Sequence, residues 1–162
     1  MKKSLLMLVF YILLTGSLLV SCGTAKTLAE KQQDALVIKG KVESFNFRYN
    51  ANVALAEGKT IHLNHSYNLT VSKDTVRAFL PFYGRMYSAP IDASENGIKF
   101  ISTDFEYQVV AGKRPGTWIV SIKTADTGRS ISLWLNVSDN GTAQLSVTDP
   151  NKAPISFDGY IE

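Results

Sequence analysis

From Phe45 to the end of the chain, apolar side chains recur at every second position, and this spacing limits what the chain can fold into. Phe45, Phe47 and Tyr49 alternate with Asn46, Arg48 and Asn50, and Tyr67, Leu69 and Val71 alternate with Asn68, Thr70 and Ser72. Successive side chains of a β-strand point to opposite faces, so a period of two predicts strands with one packed and one wet face. The pattern returns in Thr75–Leu80, in Phe105, Tyr107 and Val109, and in Trp118, Val120 and Ile122. Ile131, Leu133, Leu135 and Val137 form a further stripe, followed by Ala143, Leu145 and Val147, and then by Ile155, Phe157 and Gly159.

The breaks between these runs are turns. Ser72-Lys73-Asp74 is a hairpin tip, Ala111–Gly116 is a second turn, Asp126-Thr127-Gly128 a third and Asp139-Asn140-Gly141 a fourth. Asn-Gly suits tight hairpins because both residues tolerate positive φ. Consecutive hairpins predict a mainly β, antiparallel domain of about seven to ten strands, with no room for long crossover helices. A curled sheet closed as a small barrel, a sandwich, and a sheet capped by a short amino-terminal helix all fit this pattern. A transmembrane barrel fits less well, because lipid-facing strands run to about 9–11 residues and most of these segments are shorter.

Residues 23–41 do not alternate. Ala, Leu, Glu, Lys and Gln favour helix there, which predicts a tether over 23–27 and a short helix over about 28–39. Leu28, Leu36 and Val37 would form its thin apolar stripe and Gly40 its stop. Such a helix would act as a spacer or cover one open end of the sheet.

Before it, Met1–Lys3 are basic, residues 4–14 are almost wholly apolar, and Thr15, Gly16 and Ser17 interrupt the run. That order describes a secretory signal peptide, and it is short of the roughly 20 apolar residues of a membrane span. Leu19-Val20-Ser21-Cys22 resembles a bacterial lipobox. The resemblance implies thioether attachment of a diacylglyceryl group to the Cys22 sulfur, cleavage before Cys22 and acylation of the new amino terminus. Residues 1–21 are then the signal peptide, 22–41 the lipid anchor, tether and helix, and 42–162 a single β-rich domain. Several acyl chains hold a protein where one is marginal. Cys22 is the only cysteine, so no disulfide forms within the chain.

Loss of Lys2 and Lys3 with the signal leaves fifteen basic residues against fourteen acidic ones, so the formal charge of +3 falls to +1. With no basic block, nucleic acid is an unsuitable partner. Gly23 after Cys22 resembles lipoproteins released to the outer membrane. Thr24-Ala25-Lys26-Thr27 lacks the acidic cluster of surface export, so the expected address is the outer membrane, facing the periplasm.

The least ordinary internal passage is Leu80-Pro81-Phe82-Tyr83-Gly84-Arg85-Met86-Tyr87-Ser88-Ala89-Pro90. With Ser66–Leu69, Gly97–Phe100, Phe105-Glu106-Tyr107, Asp139-Asn140-Gly141 and Pro154–Ile161, it is similar to a family of uncharacterised lipoproteins of Bacteroidetes-type bacteria, domain of unknown function 4251. The resemblance covers about Val42 to Ile161. It implies an envelope address and a compact β-rich domain, and brings no activity or ligand. Phe82 and Tyr83 exchange the family's usual order of two aromatics, and Asp158 stands where an aromatic is common.

Candidate binding residues follow from exposure and chemistry. Tyr83, Arg85 and Tyr87 offer two rings around a guanidinium, against the simpler role of rings filling the end of the domain. Trp118 is in phase with the core, whereas Trp134 lies between Leu133 and Leu135 and belongs to the wet face. Asp74-Thr75-Val76 resembles a short periplasmic O-glycosylation signal, which makes Thr75 a candidate modification site.

Enzyme signatures are missing. His62 and His65, the only histidines, have no metalloprotease spacing, and no Gly-x-Ser-x-Gly elbow, phosphate loop or dinucleotide motif is present. The reading therefore names no catalytic residue, metal or cofactor. It expects a membrane-anchored, non-enzymatic envelope module that meets membrane lipid through acylated Cys22 and an envelope protein or glycan through its body; its oligomeric state is open. Two alternatives stand beside it: a small-ligand carrier with a barrel cavity lined by Phe45, Phe47, Tyr67 and Trp118, and a hydrolase built on paired carboxylates.

Overall fold

A computed structural model describes residues 27–88 and 96–162. The expected signal peptide, Cys22 and the expected tether up to residue 26 lie outside the described residues, whereas Thr27 is described and caps the helix. Within them the chain forms one helix, α1 (Leu28–Glu43), and nine strands. The strands are β1 (Phe47–Ala56), β2 (Lys59–Val71), β3 (Val76–Pro81), β4 (Gly97–Ser102), β5 (Phe105–Ala111), β6 (Thr117–Thr124), β7 (Ser132–Ser138), β8 (Thr142–Thr148) and β9 (Ile155–Ile161). No described helix is long and apolar enough to cross a membrane.

All strand pairs are antiparallel and belong to one barrel-like, nearly closed sheet of order β4-β3-β2-β1-β9-β8-β7-β6-β5. Of the topologies open to the sequence, this is the curled, barrel-like one. The first and last strands of the chain pair in the middle of the sheet, and the seam falls between β4 and β5, which are consecutive. In an antiparallel series of nine, the two edge strands run in the same sense. Only Thr103 and Asp104 separate β4 from β5, so β5 continues β4 end to end across the seam instead of folding back on it.

Asp126, from the β6–β7 turn, holds this kink. Its carboxylate accepts from the Thr103 N–H at 2.7 Å, the Asp104 N–H at 3.1 Å and the Ser102 and Thr103 hydroxyls. The Ala125 N–H donates to the Asp104 carbonyl at 2.9 Å. The Ser102 hydroxyl and then the Thr103 N–H hold the Asp126 carboxyl down to about 2 from 3.8. A depressed carboxyl contributes stability above its unfolded pKa and loses it as the pH falls through the folded value. The urea midpoint should therefore decline between about pH 4 and pH 2, and Asp126→Asn should flatten that limb while lowering the plateau above it. Parallel profiles for the two proteins would remove Asp126 from the account.

Alternation places one side of every strand inward. Tyr49, Leu69, Leu80, Ile98, Ile122, Leu133, Leu135, Leu145 and Phe157 are fully buried and pack into one core, with Trp118 partly buried against it. The Tyr49 hydroxyl donates to the Phe157 carbonyl at 2.9 Å within that core. Burial, with help from the Asp158 charge, pushes this hydroxyl up.

Helix α1 starts at a capping box: Thr27 Oγ1 accepts from the Glu30 N–H at 3.3 Å, and the Thr27 N–H donates to Glu30 Oε2 at 2.7 Å. It passes Gly40 and ends at Glu43, beyond the expected stop and across the expected boundary at residues 41 and 42. The apolar stripe is also different from the expected one. Ile38 and Val42, one turn apart, are buried, whereas Leu28, Leu36 and Val37 face outward. The sheet decides which face is used. Val42 offers its carbonyl to the Tyr107 hydroxyl at 2.8 Å, and Ile38 reaches Gly141, where a Cβ would lie 3.3 Å from Ile38 Cδ1. Phe45, expected in the first strand, sits instead in the turn after α1 with φ +54° and packs edge-on against Tyr107, ring centres 4.1 Å apart. The helix thus covers one end of the barrel.

The segment after β3 covers another part of the rim. Pro81 ends β3, the position its missing donor suits. Beyond it, the Tyr87 N–H donates to the Asn151 carbonyl at 2.8 Å and the Ala153 N–H to the Arg85 carbonyl at 2.9 Å. Lys152, buried in the same loop, donates from Nζ to the Gly97 carbonyl and lies 5.3 Å from the centre of the Phe82 ring.

Candidate functional site

The outward half of the alternation gathers on β5, β6, β7, β8 and β9. Register aligns it into cross-strand rows. Gln108, Ser121, Trp134, Ser146 and Ser156 stand side by side in one row. Val110, Ile119, Asn136, Gln144 and Asp158 form the next, and Glu106, Lys123, Ser132 and Thr148 flank the first on its other side. Neighbouring strands are about 4.8 Å apart, so the five-strand face is roughly 20 Å wide.

Trp134 is the one large side chain in its row and is 53% exposed. Its neighbours on both adjacent strands are serines, too short to cover the indole. Ser146 and Ser156 share a hydrogen bond at 3.0 Å, and Gln144 Nε2 donates to Asp158 Oδ1 at 2.9 Å. A depression of about 470 Å³ beside the ring is lined by Glu106, Gln108, Ser121, Lys123, Ser132 and Trp134, among others. A second, of about 830 Å³, continues over the face past Asn136, Gln144 and Asp158 to Asn52 on β1.

Lys113 and Arg114 border the second depression from the β5–β6 loop. That loop is closed by the Gly112 N–H to the Thr117 carbonyl at 2.8 Å and by Thr117 Oγ1 to the Arg114 carbonyl at 2.7 Å. It rests on the β7–β8 turn at Gly116, whose φ is +74° and where a Cβ would lie 2.7 Å from Asp139 Oδ2. Two loops that are separate in sequence thereby hold the two cations at the edge of the face.

The residues singled out from sequence fall into two places. Tyr83, Arg85 and Tyr87 share the segment after β3, with both rings exposed and the Arg85 N–H donating to Glu57 Oε1 at 3.2 Å. Trp134 lies on the strand face, and none of the three borders its depression. Thr75 is half-buried in the β2–β3 turn, where its carbonyl accepts from the Ser72 N–H at 2.9 Å and the Ser72 hydroxyl at 3.0 Å. His62 and His65 lie on β2, and among the described residues no three His, Cys, Asp or Glu side chains gather as a metal site would need. Of the four residues proposed to line a carrier cavity, Phe47 is buried in the core, Trp118 packs against it, Phe45 packs on Tyr107 and Tyr67 stacks on Phe79 with ring centres 5.6 Å apart.

A family model described as a domain of unknown function, DUF4251, matches residues 29–161, from the first turn of α1 to the last residue of β9. The chain belongs to the DUF4251 family. No curated protein matches it. The match takes in α1, which the sequence resemblance had left out, as befits a helix whose Val42 is fully buried in the common core. For a DUF4251 domain the surface itself is the source of functional argument. The polar row around Trp134 escaped sequence reasoning because attention to the apolar half of each strand passes over Gln108, Ser121, Ser146 and Ser156. The available signal was their small size at wet positions, where long charged side chains are common.

Proposed function

We propose that this DUF4251 protein is a lipid-anchored, non-enzymatic module of the bacterial envelope. It is tethered through acylated Cys22 to the periplasmic side of the outer membrane and binds an envelope component with the outer face of its barrel. The anchor rests on the lipobox-like Leu19-Val20-Ser21-Cys22, and the observation that turns the contact surface outward is the filled interior, where Tyr49, Leu135, Leu145 and Phe157 occupy the space a carrier would leave open. Contact with a partner then falls to the outside. The anchor supplies high local concentration near the membrane, so an affinity modest in solution suffices. The exposed Leu28, Leu36 and Val37 on α1, a few residues after Cys22, are in keeping with a helix held close to lipid.

Intact-mass analysis of the protein from native membranes tests the anchor. The expected mass is that of Cys22–Glu162 plus a diacylglyceryl group and an amide-linked acyl chain, and Cys22→Ser should accumulate as the unprocessed chain. A mature protein that retains residues 1–21, or one with a free Cys22 thiol, would overturn the reading.

A further inference from the structure

We infer that the face around Trp134 is a binding platform for a neutral, β-linked oligosaccharide. The inference rests on the outer face being the contact surface and names the ligand class it takes. A pyranose ring has two kinds of surface: a face of C–H groups and a rim of hydroxyls. Its complement is a free aromatic plane surrounded by short donors and acceptors. Trp134 provides the plane, left bare by Ser121 and Ser146 on either side. The indole's negative π-face attracts polarised C–H groups. Gln108, Glu106, Lys123 and Ser132 surround it with an amide, a carboxylate, an ammonium and a hydroxyl. Asn136, Gln144 and Asp158 extend the same chemistry along the neighbouring row.

The other ligand classes fit this face less well. A stable protein interface needs a desolvated apolar centre built from several anchors, whereas here Trp134 is joined by Val110 and Ile119 of the next row among polar side chains. A phosphate-rich ligand needs clustered cations. On this face Glu106 stands directly across from Lys123, and the sequence neighbours Lys113 and Arg114 border the same depression as Asp158, so opposite charges are interspersed. Linkage geometry sets the last term. β-1,4-Linked chains with equatorial bonds are extended ribbons, which fit along β7 past Trp134 and Asn136, the direction in which the outside of a barrel is nearly straight. α-1,4-Linked chains coil away from such a straight track.

The test uses the full protein, purified from membranes in a detergent without a sugar headgroup. The β-1,4-linked cellohexaose, chitohexaose and xylohexaose serve as probes, with the curled laminarihexaose and maltohexaose for comparison. Calorimetry and indole fluorescence should detect at least one β-1,4-linked probe, with laminarihexaose and maltohexaose weaker. Trp134→Ala should weaken binding about tenfold or more, and Trp134→Phe should lose less, since a smaller ring keeps part of the stacking. Both variants should keep the parent melting temperature, because the residue is on the surface. Silence from all three β-1,4-linked probes at millimolar concentration, or Trp134→Ala binding equal to the parent, would overturn the inference. Either failure leaves the mass of acylated Cys22 untouched, and an unacylated Cys22 leaves the sugar titration untouched, so the two readings fail separately.

Discussion

Gly159→Ala is expected to lower stability by about 3 kcal/mol or more, the largest effect of any small substitution in this barrel. Gly159 sits where β9 pairs with β1 through Ala51 and with β8 through Ala143. A Cβ there would run into the Asn50 carbonyl oxygen and lie 2.9 Å from the Tyr49 hydroxyl. Neither obstacle is a flexible side-chain end. One is the backbone of the adjacent strand, and the other is a buried phenol tied to the Phe157 carbonyl. Relief would require β1 and β9 to part, and these strands join the two ends of the chain at the middle of the sheet.

The corresponding fall in melting temperature is about 10 °C, taking roughly 3–4 °C per kcal/mol for a domain of this size. Gly128→Ala provides the comparison. Its φ of +71° also favours glycine, but the space around it is open, so the cost is limited to about 1 kcal/mol of backbone strain. If Gly159→Ala melted within about 2 °C of the parent, the close approach of β1 to β9 would be wrong.

Lys152→Ala should cost about 2–3 kcal/mol, the second largest effect. A buried lysine is costly to desolvate and is retained only where it is well bonded. Lys152 is 3% exposed, donates to the Gly97 carbonyl at the start of β4, and lies over the Phe82 ring just past the end of β3. One ammonium thus ties the β8–β9 loop to both ends of the β3–β4 connection. Lys152→Met separates its two contributions: the methionine keeps apolar packing against Phe82 and loses the donor. Chemical denaturation should rank the parent above Lys152→Met and Lys152→Ala lowest. Equal stability of Lys152→Met and the parent would show that packing alone holds the loop.

Much of the fold was legible in the order of residues. The runs ending in Val71, starting at Thr75, and spanning 105–109, 118–122, 131–137, 143–147 and 155–159 all lie in strands or at their margins. Trp134 faces outward and Trp118 packs against the core, as their phase requires. Other features were not legible. The β1–β2 hairpin turns at Glu57-Gly58, both at positive φ, without the Asn-Gly signature. On α1, Leu36 and Val37 are as apolar as Ile38 and Val42, and only the position of Tyr107 and Gly141 decides which pair is buried. The clamp at Asp126 brings together residues more than twenty positions apart, with no local pattern to mark it.

The amino-acid order by itself determined which side chains face inward, because a period of two is a property of each strand alone and needs no partner. It also placed the turns at Gly116, Gly128 and Gly141, since these glycines meet a positive φ locally, though Asn140 does not share it and the β1–β2 turn carries no such mark. What only the tertiary structure decided is which wet residues become neighbours. Any strand can slide past the next by two residues and keep the same face inward, so periodicity is blind to register. The backbone ladders remove that freedom, and by doing so they set Gln108, Ser121, Trp134, Ser146 and Ser156 in a single row.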